Sequence, residues 1–76
     1  MDIRQIVSMD PEIMSGAPVF AGTRVPVQSL LDHMIAGDGL DIFLKGFPSV
    51  TRPQAEAFLT FAFHKILDEV EYARAA

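Results

Sequence analysis

The sequence predicts a mainly α fold, three helices behind a short N-terminal strand or hairpin element. Three observations lead there. Apolar residues recur at helical spacing in three segments beyond residue 24. Each of those segments carries its own start and stop residues. The two apolar runs ahead of them are too short for helices and are separated by a Pro- and Gly-containing turn cluster.

Residues 3–8, "IRQIVS", hold Ile3, Ile6 and Val7 and are read as a short strand. Asp10, Pro11, Gly16 and Pro18 follow as a turn cluster. "PVFAG" is the second strand, ending on Gly22. Two such strands are marginal alone and must pack on helices or on a second chain.

"VPVQSLLDHMIAG" is the first helix. Pro26 suits its first turn, and Val27, Leu30, Leu31, Met34 and Ile35 share one face opposite Gln28, Asp32 and His33. Gly37 is its left-handed stop. In the second helix, "GLDIFLKGFP", Leu40, Phe43, Leu44 and Phe47 line one side, and Gly46 with Pro48 ends it. The third and longest, "TRPQAEAFLTFAFHKILDEVEYARA", starts on a Thr51/Gln54 capping-box pattern with Pro53 in its first turn. Its wheel puts Ala55, Phe58, Leu59, Ala62, Ile66, Val70 and Ala73 on one arc, opposite Glu56, Thr60, His64, Asp68 and Glu71. Phe61 and Leu67 fall outside that arc and Phe63 at its border. One monomer needs one buried stripe, so this excess points to a second contact, with another copy or a partner.

With 76 residues there is room for one domain, an arm over residues 1–24 and a bundle over residues 25–76. Cysteine is absent, which removes disulfides, thiolate metal sites and cysteine catalysis. Two histidines, His33 and His64, cannot make a zinc site without carboxylates, so neither metal nor cofactor is expected. A net charge of −4 weakens a nucleic-acid reading and suits a partner with a basic surface. No apolar run reaches membrane-spanning length and no signal peptide is visible, so a cytoplasmic location is expected.

Gly22-Thr23-Arg24 raises the question of an anion loop. Such a loop needs several glycines and a Lys-Ser/Thr step at a helix N-terminus, whereas here Val25 and Pro26 intervene and Pro26 lacks an N–H. The structural reading has Gly22 making a turn while Thr23 and Arg24 bond to neighbouring backbone. Arg24 keeps a functional option, since its planar charged fork fits a carboxylate or phosphate. Asp68, Glu69 and Glu71 read as a solvated acidic end or as a patch for a basic partner. Both histidines read as exposed, and Met9, Met14 and Met34 as core filler. No arrangement of nucleophile, acid and base follows from the spacing, so the chain is read as non-enzymatic.

Asp10-Pro11-Glu12-Ile13, Gly16-Ala17-Pro18, Gly22-Thr23-Arg24-Val25-Pro26-Val27, Gly37, Phe47-Pro48 and Thr51-Arg52-Pro53-Gln54-Ala55, in that order, resemble the pattern of the small bacterial family DUF433. The resemblance spans residues 6 to 63. It implies a helix-turn-helix-like, three-helix fold and the role of antitoxin in a type II toxin–antitoxin system, often beside a PIN-like ribonuclease toxin. Gly39 departs from the pattern where a capping Ser is common, and Lys45 and Gly46 where acidic residues are. The leading expectation is an antitoxin-like protein that binds and silences such a toxin. The flank of the long helix around Phe61, Leu67, Asp68, Glu71 and Tyr72 would carry the contact, or Arg24 reaching into the toxin's carboxylate cluster. The alternative is a DNA-binding regulator reading the major groove with Thr51, Arg52 and Gln54, with Lys45 on a phosphate. An architectural dimerisation module is the third reading; a homodimer fits all three.

Overall fold

The computed structural model describes residues 1–75. Asp2 starts a short helix, α1 (Ile3–Ile6). Its carboxylate accepts from the Arg4 amide at 2.8 Å, and the Gln5 side chain accepts from the Asp2 amide at 2.8 Å. This reciprocal cap turns residues 3–6 helical, which corrects the strand expected over residues 3–8. Only β1 (Val7–Ser8) is extended. It pairs antiparallel with β2 (Val19–Phe20), Val7 opposite Phe20 and Ser8 opposite Val19. The connection passes through a tight 3-10 turn, Met14–Gly16, in which Met14, Ser15 and Gly16 have φ of 50°, 57° and 85°.

The Gly-Thr-Arg segment is a joint. Gly22 has φ +79°, and the Phe20 carbonyl accepts from the Thr23 amide at 3.0 Å, the pattern of a type II turn. The buried Thr23 hydroxyl donates to the Phe20 carbonyl at 2.7 Å and accepts from the Val25 amide at 3.0 Å. Phe20 and Val27 amides donate onward to the carbonyls of Val25 and Pro18. The Thr23 amide and hydroxyl are therefore spent on the chain itself. Arg24 makes no such bond; it stands exposed, without hydrogen bond or ion pair among the described residues, contrary to the expected backbone contact.

Helix α2 (Val27–Ile35) begins one residue after Pro26, which sits at the N-cap with extended ψ rather than inside the first turn. It ends in a Schellman motif. Gly37 takes φ +90°, its amide donates to the Met34 carbonyl at 3.0 Å, and the Asp38 amide donates to the His33 carbonyl at 2.9 Å. Helix α3 (Leu40–Gly46) starts at Gly39 without a side-chain cap. Helix α4 (Arg52–Ala75) follows, and Thr51 Oγ1 accepts from the Gln54 amide at 3.2 Å. The described residues thus form four α-helices, the extra one being α1.

The core gathers Phe20, Val25, Leu30, Phe43, Val50 and Ala55, with Leu40, Leu44, Phe47, Phe58 and Leu59 packed against it. Phe20 is its centre, with ring centroids 6.0 Å from Phe43 and 5.6 Å from Phe58. Ile6 and Val19 are buried too, so the N-terminal segment is built into the body. His33 is half-buried rather than exposed. Its Nδ1 lies 2.8 Å from the Ser29 carbonyl, and its ring sits edge-on to Phe43 and Phe47. Met9, Met14 and Met34 are exposed, against their expected place in the core.

Only the first part of α4 belongs to this body. Every residue from Phe63 to Ala75 is exposed, a rod about 20 Å long at 1.5 Å per residue. The radius of gyration, 13.7 Å, exceeds the roughly 11 Å of a compact chain this size, and the projecting rod accounts for the difference.

Candidate protein-interaction site

The third-helix arc was expected to be the buried stripe, and the structure corrects this beyond Ala62. Ala55 is buried and Phe58, Leu59 and Ala62 are partly covered, whereas Ile66 and Val70 face solvent. The reason is length: the body supplies a packing surface for about three turns of α4, and the helix continues for a similar distance past it. Phe61 is 49% exposed and Leu67 42%. Neither is absorbed within the chain.

Residues 61, 68 and 72 recur at spacings of seven and four, which places Phe61, Asp68 and Tyr72 on a single strip at the back of α4. Glu71 lies beside that strip, while Leu67 is on the flank between the back and the front. Along the rod Lys65 and Glu69 form an exposed ion pair at 3.4 Å. Asp68 and Glu71 have no cation partner among the described residues. The back of the rod therefore carries two aromatics, the Lys65–Glu69 pair and, in Asp68 and Glu71 beside it, negative charge without a cation partner. Arg24, on the turn ahead of α2, shares no hydrogen bond or ion pair with this strip.

The residues expected to read DNA are placed differently. Gln54 is 6% exposed. Its Nε2 donates to the carbonyls of Ala21 at 2.9 Å and Gln5 at 3.1 Å, with Ile6 O at 3.5 Å. Those bonds correct both its assignment to the groove-reading edge and its expected return to the Thr51 backbone. Arg52 is drawn to Asp41 on α3 and lies 3.9 Å from Glu56, so its charge is already shared with two carboxylates. Thr51 Oγ1 is the cap of α4. Lys45, in the last turn of α3, is exposed and unpaired among the described residues.

An apolar groove of about 270 Å³ lies where the rod leaves the body. Val27, Leu30, Leu31 and Met34 of α2 and Phe58, Leu59 and Ala62 of α4 line it, with Gln28 the single polar residue. Sequence reasoning did not identify this recess, because it depends on the spacing of α2 from α4. Among the described residues no helix is long and apolar enough to cross a membrane.

A family model described as "Protein of unknown function (DUF433)" matches residues 7–62, ending where the rod begins. The chain is similar to "Uncharacterized protein y4eO" of Sinorhizobium fredii (strain NBRC 101917 / NGR234), 40% identical over 47 residues. That alignment covers 62% of this chain and 21% of the relative, so the chain spans about a fifth of that protein's length. No solved structure matches.

Proposed function

We propose, from the premise that the chain belongs to the DUF433 family, that it is a non-catalytic binding protein which captures a partner protein on the back of the α4 rod. The observation that carries this is the rod itself: every residue from 63 to 75 is exposed, yet they include large apolar side chains. Aromatic anchors rimmed by charge are the composition of a protein-binding surface. Phe61 and Tyr72 supply the anchors, and Asp68 with Glu71 the rim.

The sign of that rim selects the partner. A surface that binds nucleic acid must be basic, so a ribonuclease offers the electrostatic complement to this acidic strip. The antitoxin role that the family resemblance implies, silencing a PIN-like toxin in the cytoplasm, meets that requirement. Arg24 is a second contact of the same proposal: exposed and uncommitted, it can form charge-assisted bonds to a carboxylate cluster. The regulator reading stands as the alternative, carried by Lys45 with Thr51 and Arg52. It ranks second because Gln54 is committed to the interior and Arg52 to Asp41.

Titration calorimetry of the chain against the small protein encoded by the adjacent reading frame tests the proposal. Phe61→Ala with Tyr72→Ala should weaken binding by at least about 30-fold, the cost of losing a hot spot. Arg24→Ala is the second arm. Full affinity in both variants would remove these surfaces from the reading, and absence of binding by the parent chain would remove the toxin.

A further inference from the structure

The front of α4 is a separate surface. Leu59, Phe63, Ile66, Val70 and Ala73 follow one another at spacings of four, three, four and three, the repeat of a two-helix seam. Leu59 packs on the core, but the line then runs out along the rod, where Ile66 is 62% exposed. The α2/α4 groove lies at its foot. We propose that this continuous front face pairs with a second copy of the chain. The two rods run antiparallel, each tip lying in the other's α2/α4 groove about a two-fold axis near residue 65.

The choice of occupant and direction rests on shape, sterics and charge. One molecule carries both a projecting rod and a recess beside its root, which is what a self-complementary two-fold contact requires. A parallel, in-register partner is blocked. It would set its whole body against this one at the same end of the pair, where α2 flanks α4 and the groove between them offers room for a helix tip. An antiparallel partner keeps its body at the far end of the rod, clear of the first.

Charge then sets the register. Arg74 and Glu56 lie on the same flank of α4, five full turns apart. Antiparallel pairing brings Arg74 of each copy against Glu56 of the other, giving two opposite-charge contacts beside an uncharged seam. Arg74 has no ion pair within the chain among the described residues, and Glu56 has only the 3.9 Å approach of Arg52. The overlap of residues 55–75 runs about 30 Å. With a filled groove at each end it hides on the order of the 1,000 Å² that a stable interface needs. Asp68 and Tyr72 stay on the far side, so the copy does not compete with the partner proposed above.

Sedimentation of the full chain across the micromolar range is the first test. The expected mass is twice 8.4 kDa at the upper end. Ile66→Glu should raise the dissociation constant on the order of 100-fold, with the circular dichroism of the parent retained because the side chain is exposed within one copy. Direction is read by cross-linking, the chain having no native cysteine. Glu56→Cys combined with Arg74→Cys should oxidise to a linked dimer, and Arg74→Cys alone should not. A monomer at every concentration would overturn the proposal and leave the face to another protein. Dimers that survive Ile66→Glu, or that link through Arg74→Cys alone, would overturn it equally.

Discussion

Replacing Gln54 with leucine tests how the helical body is fastened to its N-terminal segment. The amide donates to Ala21 O at 2.9 Å and to Gln5 O at 3.1 Å, while Ile6 O, at 3.5 Å, already accepts from the Ala21 amide at 3.0 Å. Two bonds are therefore lost, each with a net contribution of about 1 kcal/mol, and two carbonyls are left without a donor at about 1–3 kcal/mol if fully buried. Gln5 is exposed and Ala21 only partly covered, which keeps the expected loss near the lower end, about 2–3 kcal/mol. For a domain of this length that corresponds to a fall in Tm on the order of 10–20 °C. Urea and thermal unfolding of parent and variant at one protein concentration measure it. Gln54→Glu should fall further at neutral pH, because it sets a carboxylate against three carbonyl oxygens. A leucine variant within about 0.5 kcal/mol of the parent would refute the reasoning, and the amide would then be incidental to the fold.

Gly37→Ala should cost about 1–2 kcal/mol in urea unfolding, since a Cβ is strained at φ +90° whatever the free space around it. Ser15→Gly should act in the opposite sense, raising the unfolding free energy by up to about 1 kcal/mol, because Ser15 is held at φ 57° without the freedom of glycine. The Arg4 side chain and amide, both bonded to the Asp2 carboxylate, hold that carboxyl below its ordinary 3.8. The cap on α1 is accordingly complete above the ordinary value and is lost as pH falls through the lowered one. An NMR titration should place the Asp2 midpoint below 3.8 in the parent and nearer 3.8 in Arg4→Ala.

Local chemistry was legible in the sequence, and tertiary commitment was not. Gly37, Gly22 and Thr51 were found because a stop, a turn and a cap each depend on a few neighbouring residues. The cap on α1 was equally local: Asp2 followed three residues later by Gln5 carries it, and Ile3, Ile6 and Val7 drew the reading to a strand instead. Gln54 illustrates the harder case. Its spacing from Thr51 fits a capping box, but the carbonyls of residues 5, 6 and 21 converge on it only once α1, β2 and α4 are assembled. His33 fell on the polar side of a wheel, and the aromatic edges that receive it come from α3 and the residue after it. The rod was half legible. Its surplus of apolar residues was countable, but that the body ends beneath Ala62 is a property of the packed structure.

Because the last three to four turns of α4 have little beyond their own backbone bonds and the exposed Lys65–Glu69 pair to hold them, their persistence in water depends on helix propagation outward from the anchored root. Such an end opens locally far more often than the body does, and a protease that grips it acts on the open population. Covering the rod, by whatever molecule, would slow that loss. Lifetime and occupancy become one variable, and the uncovered protein is the first to disappear.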